Sequence, residues 1–362
     1  MQPLFQRLSY GPFDLKNRLM LSAMTRCRGN KDTGAPNDLI ATYYAQRARS
    51  ASLLVTESLP IHPYLNPWPG ACSLFTKEAV EGWKKVIEAI HDKNSVVFAQ
   101  LFHCGRATHA DLAAGNPPLA PSAIPLSGTL YVGGEKKPYT PPLEMNLADI
   151  QMTKNLFQIA INNAKAAGFD GVEFNAHNGY LLDSFIRSST NKRKDNYGGN
   201  VQNRCRLLLE VVDIAIQFFG PSRVGVKLSP TGRSNDMYDD DPIETLSYLA
   251  SELSKKDIMY IALREPESYL PEVKGTKQID NLCKVARPLF KNIIVTNGVS
   301  HEEGQRRIRD GEADMWASAS AFVGNPDLAE RIKNGWEIVQ APTSCYFNPD
   351  PKGYADWPTY SG

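Results

Sequence analysis

Short β-branched runs alternate with longer amphipathic stretches along most of the chain. Leu19–Ala23, Ser52–Glu57, Val96–Leu101, Gly171–Phe174, Arg223–Leu228, Met259–Leu263, Asn292–Thr296 and Asp314–Ser318 read as strands. They are apolar almost throughout, as strands covered on both faces are. Between them lie helical patterns. In Thr76–Asn94, Val80, Trp83, Val86, Ile87 and Ile90 recur at helical spacing behind Thr76 as cap. Asn200–Phe219 has Asn200 as cap and Gly220-Pro221 as stop, and Asp241–Lys256 is a further helix. This alternation predicts an α/β protein with a parallel sheet under helices, and eight such units predict a closed (β/α)8 TIM barrel. An open doubly wound sheet is the rival, but no strand is followed by G-x-G-x-x-G. Residues 1–362 are read as one barrel domain. The Gly- and Pro-rich segment 106–142 interrupts the alternation after the third strand. It predicts an excursion over the barrel mouth, with a hairpin near Gly133-Gly134.

Charge narrows the function classes. Forty basic residues against 39 acidic ones leave a formal charge of +1, which gives neither nucleic acid nor an anionic membrane a reason to bind. The basic run Asn191–Lys194 reads as a solvated loop. The six cysteines are scattered without C-x-x-C or zinc spacing, so they predict reduced thiols. No apolar run is long enough to span a bilayer and no leader is evident, so a cytoplasmic protein is expected.

In a barrel, the residues that follow each strand crowd one mouth. Here they are Thr25 and Arg26, Glu57 and Ser58, Gln100 and His103, Asn175, Asn178 and Tyr180, Lys227, Arg264, Asn297 and Gly298, and Ser318 and Ser320. They are mostly neutral hydrogen-bonders with a few cations. They contain no paired carboxylates of the glycosidase kind and no metal-ligand spacing. Amides that both donate and accept suit a polar heteroaromatic ligand. Backbone N–H groups around Thr296–Gly298, ahead of a helical stretch, suit a phosphate. A flavin mononucleotide fits both features, as do other phosphate ligands of barrels.

The most specific stretch is Asn178–Asp213, "NGYLLDSFIRSSTNKRKDNYGGNVQNRCRLLLEVVD". With "MLSAMTR" (Met20–Arg26), "YYAQRA" (Tyr43–Ala48), "AQLFHCGR" (Ala99–Arg106), "RVGVKLSP" (Arg223–Pro230) and "NPDL" (Asn325–Leu328), it resembles the Old Yellow Enzyme family over almost the whole length. The resemblance implies an FMN-dependent oxidoreductase, an NADPH dehydrogenase or ene-reductase. NADPH or NADH would reduce the flavin, which passes hydride to the β-carbon of an alkene conjugated to a carbonyl or nitro group. It assigns Tyr180 as the acid that protonates the α-carbon, and Asn175 and Asn178 as the pair that clasps the substrate oxygen. Ala23, Thr25, Ser58, Gln100 and Lys227 fall at the flavin ring, and Asn297, Gly298, Ala319 and Ser320 at its phosphate. His177 falls where the family has a small residue and is read as peripheral. Relatives occur as monomers and homodimers.

Several positions depart from the family pattern. Asn175 stands for a histidine, Lys227 for an arginine, Ser320 for the phosphate-binding arginine, and Ala23 for a proline. The preferred expectation is a working ene-reductase with a looser flavin. The alternative is a degenerate barrel that binds FMN weakly or not at all and acts as a binding protein or non-redox isomerase.

Overall fold

The computed structural model describes residues 2–265, 279, 281–296 and 298–361. Eight parallel strands close into a barrel: β1 (Leu19–Leu21), β2 (Leu53–Pro60), β3 (Val96–Phe102), β4 (Gly171–Ala176), β5 (Val224–Leu228), β6 (Tyr260–Arg264), β7 (Ile293–Thr296) and β8 (Met315–Ser318). They are the eight runs read from the sequence, with ends shifted by at most three residues. The caps are also where the sequence places them. Thr76 accepts from Ala79 N, Asn200 from Asn203 N and Asp241 from Glu244 N. Gly220 ends its helix with φ +83°.

Alternation along each strand makes two cores. Outward residues such as Val172, Phe174, Val226, Ile261 and Val295 pack under the helices. Inward residues Met20, Leu53, Val55, Phe98, Tyr260, Ala262, Ile294, Met315 and Ala317 fill the barrel. The hairpin Leu8–Tyr10 with Phe13–Leu15 plugs the floor: Tyr10 stacks on Tyr260 and Phe13 meets Phe98 edge-on. Further up, the inward positions turn polar. Glu173, Asn175, Gln100, Lys227, Ser22 and Thr296 are all buried there. The interior is therefore apolar below and hydrogen-bonding above, which places the chemistry at the C-terminal ends of the strands.

Strand β2 is irregular. Val55 pairs with Phe98 and Ser58 with Gln100, so one residue is extra. The bulge re-aims the end of the strand. It brings Ser58 beside Gln100, and Thr56 Oγ1 accepts the Gln100 N–H at 3.0 Å.

Within the excursion, Thr129–Val132 and Glu135–Pro138 pair antiparallel across Gly133 and Gly134, both in the left-handed region. Such a turn matches the twist of the strands it joins. The run Asn191–Lys194 is a loop with Lys192 and Lys194 exposed, but it is only half solvated. Asn191 and Arg193 are buried, and Arg193 Nη1 donates to Pro121 O and Met145 O while its other nitrogens pair with Asp195. These bonds hold the excursion at Pro121 and the chain just past it at Met145, which a charge count cannot reveal.

The barrel closes where its ends meet. β8 pairs with β1, and Ser22 N donates to Ser318 O. Beyond β8 the tail returns over β1. Arg26 and Arg28 donate to the carbonyls of Cys345 and Tyr346, Arg26 also reaches Gly353 O, and Arg47 donates to Tyr354 O. Tyr354 stacks on Tyr43 at 4.3 Å.

Candidate active site

The mouth has a connected floor. Asn175 Nδ2 donates to Ser58 Oγ at 3.3 Å and to Gln100 Oε1 at 3.2 Å, and Ser58 Oγ also donates to Gln100 Oε1. Gln100 Nε2 then donates to Glu173 Oε1 at 2.7 Å, and Tyr260 OH to Glu173 Oε2 at 3.0 Å. Glu173 is fully buried. Burial raises its pKa, while Lys227 and these two donors oppose the rise. Gly225 makes the arrangement possible. It lies between Glu173 and Tyr260 in register, and a Cβ there would sit 2.3 Å from the Tyr260 ring. Sequence reasoning missed Glu173 and Tyr260. The available signal was one acid in the otherwise apolar run "GVEF".

Lys227 stands beside Asn175 in register. It is 2% exposed, and its ammonium donates to Ser22 Oγ at 2.8 Å, its sole hydrogen bond among the described residues. Burial pushes its pKa down to about 8, with Glu173 opposing and Arg264 adding to the fall. A buried ammonium with two N–H groups to spare is costly unless something else accepts from it. Thr25, just past β1, is also buried, and its hydroxyl meets no described protein partner. Ala23 is half-buried against the inner core.

After β4 the chain reverses through Asn178 and Gly179, with φ +59° and +75°. A Cβ on Gly179 would lie 2.7 Å from Met237 and 2.8 Å from Asn235, so the turn needs glycine. Asp183 Oδ2 accepts the Gly179 N–H at 2.8 Å and fixes it. Asn178 is held at three points. Its N–H donates to Ser229 Oγ, its carbonyl accepts from Asn235, and its Oδ1 accepts from Arg264. The Nδ2 group is left without a described protein partner. Asn175 differs, because its Nδ2 is spent on the floor.

Tyr180 follows, at the start of the helix Leu181–Ile186. Its ring meets Phe102 edge-on at 4.6 Å and Trp68 at 6.0 Å. Its hydroxyl bonds to no described protein group. Burial raises its pKa above the usual phenol value, helped by Tyr139 and Cys104, so the proton stays on at neutral pH. A cavity of about 480 Å³ lies over it, lined by Trp68, Tyr131, Tyr139, Asn235 and Phe347 among others. The excursion thus supplies part of the wall.

His177 is buried between these groups, and its Nδ1 has no partner among the described residues. Burial, Lys227 and Arg264 hold its pKa well below the usual histidine range, so it is neutral.

The remaining predicted residues lie at the ends of β7 and β8. Thr296 pairs with Ala317, the last paired positions of the two strands. Gly298 has φ +79° and Ala319 is buried. Ser320 is exposed, and its hydroxyl bonds to no described protein group. Asn297 lies outside the described residues. Arg306 is engaged elsewhere, in ion pairs with Glu303, Asp310 and Glu312. Among the described residues, no group of His, Cys, Asp and Glu could hold a metal ion.

A model of the NADH:flavin oxidoreductase / NADH oxidase family matches residues 3–338. The chain belongs to the Old Yellow Enzyme family. The structure of the old yellow enzyme homologue from Zymomonas mobilis superposes with a TM-score of 0.93 at 35% identity, covering 99% of both chains. Morphinone reductase gives 0.93 at 32%, covering 99% of this chain and 97% of its own. Flavin oxidoreductase hxnT of Emericella nidulans is 34% identical over 99% of this chain and 98% of its own length. This old yellow enzyme is therefore an FMN-dependent oxidoreductase that reduces activated C=C bonds with hydride from a nicotinamide. Nothing supports the alternative of a degenerate barrel. Among the described residues, no helix is long and apolar enough to cross a membrane.

The donor set fits a flavin. The Gln100 amide, with one N–H beyond that given to Glu173, the Thr25 hydroxyl without a described partner and the under-used Lys227 ammonium together offer donors to the carbonyl edge of such a ring.

Proposed function

We propose that Ala23, Thr25, Ser58, Gln100 and Lys227 hold the FMN ring, and that Asn178 and Tyr180 act on an α,β-unsaturated carbonyl or nitro compound. Lys227 carries the reading: a buried cation with one protein acceptor, level with the amide floor. A bound FMN would supply hydride received from a nicotinamide. Asn178 Nδ2 donates to the substrate oxygen as that oxygen gains charge, and Tyr180 delivers the proton to the α-carbon. Asn175 completes the floor and orients Gln100. NADPH is the proposed donor and NADH the alternative. The test is anaerobic mixing of the flavin-loaded protein with each nicotinamide, then with an enone. Failure of the enone to reoxidise the flavin would sink the reading.

At the phosphate, Gly298, Ala319 and Ser320 offer backbone N–H groups and one hydroxyl. A charge-assisted hydrogen bond contributes about 1.5–3 kcal/mol. Ser320→Arg should therefore tighten FMN by one to two decades, read by flavin-fluorescence titration. An unchanged affinity would mean that the phosphate already has its cation.

Lys227 also predicts a pH dependence. Its folded pKa of about 8 lies below the ordinary lysine value. Below that pH it is charged and favours the carbonyl edge of the ring; above it the charge is lost. FMN affinity should fall as pH rises through about 8, by up to tenfold per unit. The break should vanish in Lys227→Met. A break that persists would assign the titration to another group.

A further inference from the structure

A second cavity lies behind the mouth, on the far side of the segment that follows β3. Its volume is about 360 Å³, within the range of small-molecule sites, roughly 300–1,000 Å³. Its walls come from four places: the loop after β2, the segment His103–Gly105, the excursion, and the helix Leu147–Ala167. Most are apolar, including Leu65, Ala113, Leu119, Leu143, Met152 and Leu156.

Two polar groups on its walls lack described partners, Thr108 Oγ1 and one ring nitrogen of His103. His103 lines the cavity and is 4% exposed. Its Nδ1 accepts the Gly105 N–H at 3.0 Å. Burial pushes its pKa down to about 3, so the ring is neutral. With Nδ1 as acceptor, the single ring proton sits on Nε2. No described protein group accepts from that Nε2. His103 Nε2 is not among the sealed, unpartnered atoms of the fold, so its N–H is reachable from the cavity that the ring lines. Charge then narrows the class of ligand. No lysine or arginine lines the cavity, and the one carboxylate, Asp149, is committed to capping Asn146 N. An anion would find no counter-charge.

We propose that this cavity is a second ligand site, taking a small neutral carbonyl compound with an aliphatic body whose oxygen accepts from His103 Nε2. The site shares a wall with the mouth. His103 O accepts the Leu181 N–H at 3.1 Å, and Phe102, one residue earlier, carries the Tyr180 ring. The mouth and the cavity are nonetheless lined by different residues, and the assignment does not depend on the role given to Tyr180.

The test uses the flavin-loaded protein and 2-decanone, a saturated ketone with no C=C bond to reduce. Calorimetric titration should show one saturable site while the flavin absorption band stays unmoved. Ala113→Trp or, separately, Leu119→Trp should fill the cavity and abolish that heat while enone reduction continues. His103→Phe keeps the bulk but removes the donor, and should weaken binding about tenfold. No saturable heat at millimolar ketone would overturn the proposal. So would heat that survives both tryptophan variants, or heat that moves the flavin band and is displaced by an enone, since the ketone would then sit in the mouth.

Discussion

Tyr180→Phe should slow the half-reaction with an enone by about 10²–10⁴-fold, while the half-reaction with NADPH keeps its rate. The ring and its contacts with Phe102 and Trp68 survive the change, and only the proton is lost. Loading hydride from a nicotinamide needs no acid. Saturating an alkene needs a proton on the α-carbon as well as hydride on the β-carbon. A nitroalkene should suffer less, because its nitronate is stable enough to leave and take its proton from water. Stopped-flow measurement of each half-reaction separates the cases. Equal slowing of both would indicate a disturbed site, and no slowing would remove Tyr180 as donor.

Asn178→Ala should cost about 10²–10³ in the rate of hydride transfer to an enone, the usual effect of losing an oxyanion donor. Asn175→Ala should cost less in that step and more in FMN affinity. The two amides are two strand-end positions that a sequence treats alike. The structure separates them by their partners: Asn175 Nδ2 is spent on Ser58 and Gln100, whereas Asn178 has its Oδ1 anchored by Arg264 and its Nδ2 uncommitted. Rapid-reaction rates and flavin titrations on both variants give the comparison. If Asn175→Ala proves the more damaging to hydride transfer, the floor residue is the clasp and the assignment reverses.

The strands and caps were legible because they depend on local order. Outward-facing Val, Ile and Phe, with Thr76, Asn200 and Asp241 one residue ahead of their helices, signal themselves within a short window. What stayed hidden depends on register between distant strands. Glu173 is acceptable in a barrel interior because Gly225 lets Tyr260 reach across to it, and "GVEF" alone carries no trace of either partner. The bulge that brings Ser58 level with Gln100 is likewise a property of two strands together. Arg193 was misread for a related reason. Its charge is balanced by Asp195 and by carbonyls of Pro121 and Met145 that only the folded chain brings near.

The seam between β1 and β8 has a consequence for how the protein is made. Arg18 reaches the carbonyl of Asp314, 296 positions further along the chain, and the carbonyls that Arg26 and Arg28 need come later still. During synthesis β1 emerges early and must wait, with one edge unpaired, until nearly the whole chain has left the ribosome. An open apolar edge of that kind invites pairing with other chains. Nascent chains that stall before Met315–Ser318 should therefore be substrates for chaperones, and slower elongation should lower the soluble yield more than it does for a protein whose edge strands pair as they appear.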